Sequence, residues 1–226
     1  MKILFLTGAG ISANAGIPVY RAAGSSWVDG DLEKKSHASR YGNHLDELWN
    51  KHWGPLSKLM NSAEPTHTHK AIAEFQKTNP SIIATQNIDG LHKKAGSDNI
   101  ANLHGSMTVR CIRCKQANLD TEWSKNAPAC PLCGKAKTRP DVVLFGEKLD
   151  MRLFRGLESF ARNDADAIVS IGTSLNVFPA AGLVMDNLSY KKVVIINKDR
   201  TPFDKFAHTV IHDDCDKVIE EVLTTL

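Results

Sequence analysis

Three short runs rich in β-branched residues, Ser81–Thr85, Ala167–Gly172 and Lys192–Asn197, constrain the fold of this chain most. Each is bounded by turn residues and apolar at successive positions, the pattern of a strand covered on both faces in a parallel sheet. A fourth run, Lys2–Leu6, opens the chain and leads into Gly8-Ala9-Gly10-Ile11-Ser12-Ala13, which reads as strand, tight turn and helix start. Strands of this kind alternating with helices make an α/β fold. Such sheets bind ligands beyond the carboxyl ends of their strands. The polar residues that follow each run are therefore the candidates for chemistry.

Between the strands the apolar period lengthens to three or four. Leu45, Leu48, Trp49, Trp53 and Leu56 predict a helix within 45–60, and Pro65-Thr66 opens another that runs to about Lys77, with Ile72 and Phe75 buried. Met151, Phe154, Leu157, Phe160 and Ala161 predict a helix packed on the sheet. Thr209–His212 reads as a weak last strand, and Val218, Ile219 and Val222 as a closing helix. Residues 20–44 are polar and Gly/Ser-rich and read as a mobile segment. Residues 107–139 break the alternation and read as an inserted module.

Composition narrows the classes. At 226 residues the chain suits one large domain, or a domain with a small satellite. With 42% hydrophobic and 23% charged residues it matches a soluble globular protein. No apolar run approaches the roughly 20 residues that cross a bilayer. Met1–Leu6 is too short for a signal-peptide core. The expectation is a cytoplasmic protein without membrane attachment. A net charge of +3 without clustered Lys or Arg leaves no footprint for nucleic acid.

Four of the five cysteines fall in two pairs, Cys111-x-x-Cys114 and, fifteen residues on, Cys130-x-x-Cys133. That spacing suits four thiolates around tetrahedral zinc, and with no open coordination position the metal is structural. Cys215 stands apart and is not a ligand by spacing.

Gly8-x-Gly10-x-x-Ala13 matches a dinucleotide fingerprint, in which glycine admits a pyrophosphate to the backbone at a helix N-terminus. A tight turn without ligand explains it equally well. No ribose-binding acid of the dehydrogenase kind is obvious at a second strand end; Asp29 and Asp31 lie at the right distance but in the polar segment, which speaks against an ordinary dehydrogenase. Thr85-Gln86-Asn87-Ile88-Asp89 and Asn102-Leu103-His104-Gly105 set an amide, a carboxylate and an imidazole beside the Ser81–Thr85 strand. His104 is one of nine histidines; a lone histidine is more often structural, but its place after this loop favours a general base. His67 and His69, at a helix start, read as capping or packing residues. Gly172-Thr173-Ser174 and Asn197-Lys198-Asp199 follow the next two strands. Asn197 and Asp199 suit ribose hydroxyls, or plain turn chemistry. Several strand ends with small or polar tips favour one shared nucleotide cleft.

In combination these motifs resemble the sirtuins, NAD-dependent protein lysine deacylases. The resemblance runs from Gly8 to Asp216 and adds Gly16-Ile17-Pro18-x-Tyr20-Arg21, Phe145-Gly146-Glu147 and Asp214-Cys215-Asp216. It implies a single catalytic core over residues 1–226. A Rossmann-like parallel sheet would take about 1–21, 64–106 and 140–226. A small domain would form from a helical/loop insertion, about 22–63, and a zinc module, about 107–139.

NAD is the implied co-substrate, and zinc is structural. Gly8, Ala9, Gly10, Ile17, Tyr20, Arg21 and Trp27 would line the NAD cleft. Gln86, Asn87, Ile88 and Asp89 would hold the nicotinamide and its ribose. Gly172, Thr173, Ser174, Asn197, Lys198 and Asp199 would take the adenosine half, with the Cys215 backbone near the adenine. Val142, Val143, Leu144, Phe145 and Gly146 would pair with an extended acyl-lysine peptide by β-augmentation. His104, Asn87 and Asp89 would carry the catalysis. In the implied reaction the acyl oxygen would attack C1′ of the nicotinamide ribose as nicotinamide leaves. His104 would help deprotonate a ribose hydroxyl, which would attack the resulting imidate carbon. Free lysine and O-acyl-ADP-ribose result. The implied partners are acyl-lysine proteins or peptides, and the chain would be a monomer.

Val19 stands where the family often has Asp, and Tyr20 where it has Phe. Arg21–Trp27 and Arg139-Pro140 look closest to the desuccinylase-type, class III branch. That branch reads acidic acyl groups through a Tyr-x-x-Arg, where this chain offers Trp49 and His52. Lacking the arginine fork, it is expected to prefer acetyl or another neutral acyl group. ADP-ribosyl transfer or NAD hydrolysis on the same scaffold is the first rival function. A non-catalytic nucleotide-sensing module is the second.

Overall fold

The computed structural model describes residues 1–19, 30–119 and 126–226. Its strands are β1 (Ile3–Thr7), β2 (Ser81–Thr85), β3 (Ile100–Asn102), β4 (Gly105–Cys111), β5 (Thr138–Val142), β6 (Ala167–Ile171), β7 (Lys192–Ile196) and β8 (Thr209–Ile211). Six form a parallel sheet in the order β3-β2-β1-β6-β7-β8, and β4 pairs antiparallel with β5. The order reverses between β1 and β6, where a doubly wound sheet opens a crevice at its carboxyl edge. Thr7 stands opposite both Thr85 and Ile171, and Ile171 opposite Ile196. Gly8, Gln86, Gly172 and Asn197 thus leave the sheet along one edge.

The helices are α1 (Gly30–Lys35), α2 (Leu45–Leu48), α3 (Gly54–Ser62), α4 (His67–Gln76), α5 (Leu91–Lys94), α6 (Met151–Ser159), α7 (Gly182–Met185) and α8 (Cys215–Thr225). Apolar residues at successive strand positions give the sheet two buried faces. Leu4, Leu6, Ile168, Val193 and Ile195 meet Phe154 and Leu157 of α6 and Leu183 and Val184 of α7. Ile3, Phe5, Ile83, Val169, Ile171 and Ile196 meet Ala71 and Ile72 of α4 and Ile219 and Val222 of α8. His69 caps α4 as expected: its Nδ1 accepts the Thr66 amide at 3.3 Å.

Several local expectations change. The glycine-rich turn leads into a 3₁₀ helix, Ala9–Ala15, that Gly16 closes in the left-handed region at φ 80°. The apolar row of 45–60 lies on a helical run interrupted by a π turn at Trp49–Trp53. The wider turn lets both indoles face inward, where they meet edge to face at 6.1 Å. Met151 is 42% exposed, because it sits in the first turn of α6 beside the Asp150 cap. Residues 30–44, expected to belong to a mobile segment, carry α1 with Leu32 buried and a 3₁₀ turn at Tyr41–His44. Asp29 lies outside the described residues.

A separate apolar cluster joins Leu32, Leu45, Leu48, Trp49 and Trp53 to Val109, Ala127 and Leu144 around the β4–β5 pair. Asp46 ties the same elements together: it accepts the Ala127 amide at 3.1 Å and pairs with Lys137. No helix among the described residues is long and apolar enough to cross a membrane.

Candidate active site

The loops after β1 and β6 meet backbone to backbone at the switch point. Gly10 donates its amide to the Gly172 carbonyl at 2.8 Å. A Cβ on Gly8 would lie 2.7 Å from Thr173 Cβ, one on Gly10 2.7 Å from Gly172 Cα, and one on Gly172 2.4 Å from the Ile11 nitrogen. These glycines therefore serve first to let two loops touch. The motif alone suggests room for a phosphate beside a helix.

Beyond β2 the chain turns so that three polar side chains converge. Gln86 Nε2 donates to Thr173 Oγ1 at 3.0 Å, bridging to the β6 loop. Asn87 Nδ2 donates to the Gly8 carbonyl at 3.0 Å and to Ser12 Oγ at 3.1 Å. Ser12 Oγ in turn donates to Asp89 Oδ2 at 2.6 Å, while Asp89 Oδ1 caps α5 through the Leu91 amide at 2.9 Å. Sequence patterns do not single out Ser12, although it closes the glycine-rich motif. Ile17 and the half-buried Ile88 belong to an apolar cluster with Leu56, Met60 and Leu91 beneath this turn.

His104 Nδ1 lies 2.9 Å from the Gln86 carbonyl. A carbonyl only accepts, so Nδ1 carries the proton and Nε2 keeps its lone pair. Burial lowers the imidazole pKa below its ordinary value, against the opposing pull of the Gln86 carbonyl. The ring is thus neutral near pH 7 and held in one tautomer, ready to accept a proton at Nε2. Because its anchor is the residue before Asn87, imidazole and carboxamide belong to one unit.

Ser174 is half-buried beyond Thr173, and Ala9 borders the same loop. The next strand end contributes less. Asn197 Nδ2 folds back on the Asp199 carbonyl at 2.8 Å, which is turn chemistry. Lys198 pairs with Asp214 at 3.0 Å. Asp214 is linked to the 3₁₀ helix by Asn14 Nδ2 at 2.9 Å and precedes the buried Cys215. Burial opposes ionisation of Asp214, but hydrogen bonds from Asn14, Lys198 and the Asp216 amide outweigh it and hold the pKa low. Tyr20, Arg21 and Trp27 lie outside the described residues.

Val142–Gly146 departs from an open edge strand. β5 ends at Val142, the Val143 amide donates to the His104 carbonyl at 2.9 Å, and the Leu144 amide to Glu147 Oε2 at 2.9 Å. The Phe145 carbonyl accepts the Ala38 amide at 2.8 Å. Beyond Val142 the chain makes one isolated parallel bridge, Phe145 to His37, and turns at Gly146, at φ 78°, rather than continuing as a strand.

The four cysteines gather as expected. Their sulfur atoms all lie within 4.8 Å of one another, with Cys111–Cys133 at 3.7 Å and Cys114–Cys130 at 3.9 Å. Tetrahedral Zn–S bonds of about 2.3 Å put sulfurs about 3.8 Å apart. The amides of Arg113 and Cys114 each point at Cys111 Sγ from 3.3 Å, which favours a thiolate. The donor set fits zinc.

The switch-point acid–base cluster and the four-thiol knuckle define a doubly wound α/β enzyme with a second, metal-fitted sheet. A model described as the Sir2 family matches residues 8–179, and the chain belongs to that family. It is 36% identical to an NAD-dependent protein deacetylase of Staphylococcus epidermidis over 99% of this chain and 92% of the relative. The same identity holds to one from Staphylococcus aureus, over 99% and 93%. A Sir2 homologue in complex with 2′-O-acetyl ADP ribose superposes with a TM-score of 0.89 at 31% identity, covering 99% of this chain and 91% of that one. A Sir2 homologue–NAD complex gives 0.88 at 30% identity, over 99% and 88%. A Sir2 complex with a p53 peptide and NAD+ gives 0.82 at 30% identity, over 99% and 92%.

Proposed function

We propose that this chain is an NAD-dependent protein lysine deacylase that acts on acetyl or another neutral acyl group. The observation that carries the reading is His104, whose Nδ1 is tied to the Gln86 carbonyl and whose Nε2 is free to take a proton. When bound, NAD supplies an anomeric carbon that loses nicotinamide. Gln86, Asn87, Ser12 and Asp89 would hold the nicotinamide end. Gly8, Ala9, Gly10, Ile17, Ile88, Gly172, Thr173, Ser174, Asn197, Lys198, Asp199 and Cys215, with Tyr20, Arg21 and Trp27, would line the remainder. His104 takes the proton from a ribose hydroxyl. Cys111, Cys114, Cys130 and Cys133 would hold a structural zinc beside the β4–β5 pair, with no part in bond breaking.

Val142–Gly146 would line the acyl-lysine groove, with Gly146 and the side chains in place of a continuous ladder. The acyl preference rests on Trp49, wholly buried, and the half-buried His52, at the positions of the Tyr-x-x-Arg that serves acidic acyl groups. The loop motifs still resemble the desuccinylase-type branch. The helical segments before residue 63 and the zinc module would form a small domain, in a cytoplasmic monomer.

Mass spectrometry of products from NAD and a panel of acyl-lysine peptides tests the reading. O-acyl-ADP-ribose and peptide-dependent nicotinamide release are expected, with kcat/KM higher for acetyl than for succinyl peptide. His104→Ala should lower kcat by about 10²–10⁴-fold. Nicotinamide release independent of peptide would replace deacylation by NAD hydrolysis, and succinyl preference would overturn the neutral-acyl assignment.

A further inference from the structure

Arg139 is an unusual residue for a strand core. Its side chain is only 7% exposed, and its polar partners lie on the end of its own strand and the turn that follows. Nη1 donates to the Val142 carbonyl at 2.8 Å, and Nη2 to Glu147 Oε1 at 2.8 Å and Oε2 at 3.2 Å. Glu147 Oε2 also accepts the Leu144 amide. The guanidinium lies 5.2 Å from the centre of the Tyr41 ring, which belongs to the helical segment before α2. One side chain thus braces both ends of the 142–147 turn and presses it against a second part of the fold.

That turn is held elsewhere as well. Val143 hangs from the His104 carbonyl, and Phe145 from Ala38. His37 fills the space over Gly146, where a Cβ would come within 2.5 Å of Nε2. The turn is therefore fixed at its start to the imidazole-bearing residue and at its end to Arg139.

We propose that Arg139 is a positioning residue for the acyl-lysine substrate. It sets the 142–147 turn at a fixed distance from His104, and it touches neither substrate nor NAD. The inference rests on the deacylase reading of the same site. The role needs arginine rather than a positive charge. Only the planar fork reaches a carbonyl and a carboxylate at once while its face covers a tyrosine. Loosening the turn blurs the placement of the peptide but leaves the β1–β6 crevice untouched.

The experiment compares wild type with Arg139→Lys, Arg139→Met and Glu147→Gln. Acetyl-peptide is varied at saturating NAD, and NAD at saturating peptide, with Tm and zinc content measured alongside. The peptide KM should rise about tenfold in both arginine variants, with the NAD KM within about twofold of wild type. Glu147→Gln, which keeps an acceptor for the Leu144 amide, should shift the same constant less at an unchanged Tm. Full rescue by lysine, an unmoved peptide KM, or an NAD KM rising in step would overturn the proposal. If Arg139→Met does not fold, Glu147→Gln decides: peptide KM unmoved at wild-type Tm refutes the role. Wild type inactive on every acyl peptide would instead refute the deacylase reading.

Discussion

The parallel sheet and the β4–β5 pair solve the same problem by different means. In the sheet, β1 and β6 are buried at every position, and each face has its own layer of helices. Its order is held by many apolar contacts that no single residue controls. The β4–β5 pair has Val109 and Cys111 buried on β4 but leaves most of that strand half-exposed, and Leu132 in the knuckle is 68% exposed. Its apolar partners, Leu45, Leu48, Trp49 and Trp53, come from the neighbouring helical segments rather than from a layered core of its own, which leaves much of the knuckle to be ordered by other means. The cysteines make up the difference. The lesson is that the polar residues of the crevice sit on the self-sufficient half, while the other half carries a donor set that fits a metal.

The largest expected effect separates the two halves. Structural zinc contributes on the order of 10–16 kcal/mol to the fold of a small metal module. Cys130→Ser should therefore lose bound zinc and acyl-peptide turnover together. The far-UV circular dichroism of the sheet and a thermal shift on adding ADP-ribose should persist. Wild type should hold one zinc per chain by atomic absorption. A Cys130→Ser protein that keeps its metal and turnover, or loses the sheet with them, would break the comparison.

The same contrast explains what could be read in advance. The buried strands of the sheet centre, the four thiols and the place of Asn87 and Asp89 after β2 follow from residue type and spacing, whereas His104 leaves β3, a short strand that no apolar pattern announces. Three further things do not follow. The purpose of Gly8, Gly10 and Gly172 depends on which loops become neighbours, and that is set by strand order rather than by local sequence. Ser12 becomes part of the site only once the turn after β2 reaches the turn after β1, 75 residues away for its bond to Asn87. Val142–Phe145 carries strand-forming side chains. Past Val142, where β5 ends, the Val143 and Leu144 amides and the Phe145 carbonyl are nevertheless claimed by His104, Glu147 and Ala38, and such tertiary contacts override propensity.

Glycines offer a sharper cut within the self-sufficient half. Gly172 sits at φ 63°, and a Cβ there would meet Gly10 and Ile11 backbone at 2.4–2.9 Å. Backbone on a sheet edge cannot move aside, so Gly172→Ala should cost about 3 kcal/mol or more in urea unfolding. At Gly156, inside α6, an added Cβ would meet nothing within 4 Å, and Gly156→Ala should stabilise by about 0.5–1 kcal/mol. Equal effects at the two positions would mean that the loops after β1 and β6 do not touch as described.

Acid should act on the two halves by separate routes. Under the sheet, His92 meets Thr7 Oγ1 at 3.0 Å, and its ring lies 4.7 Å from that of His69. Burial pushes His92 down to about 3 and His69 to about 4, from an ordinary 6.5. The unfolded chain thus binds more protons than the folded one between those limits. Stability is complete above about pH 6.5 and falls as pH drops towards 4, by up to about 1.4 kcal/mol per unit for each histidine. Zinc loss follows thiolate protonation and is read separately as metal release. Urea midpoints of the zinc-loaded protein at pH 7.5, 6.0 and 5.0 should decline, and His92→Gln, which keeps a partner for Thr7, should flatten the decline. An identical slope in that variant would assign the acid sensitivity to the metal-dependent half instead.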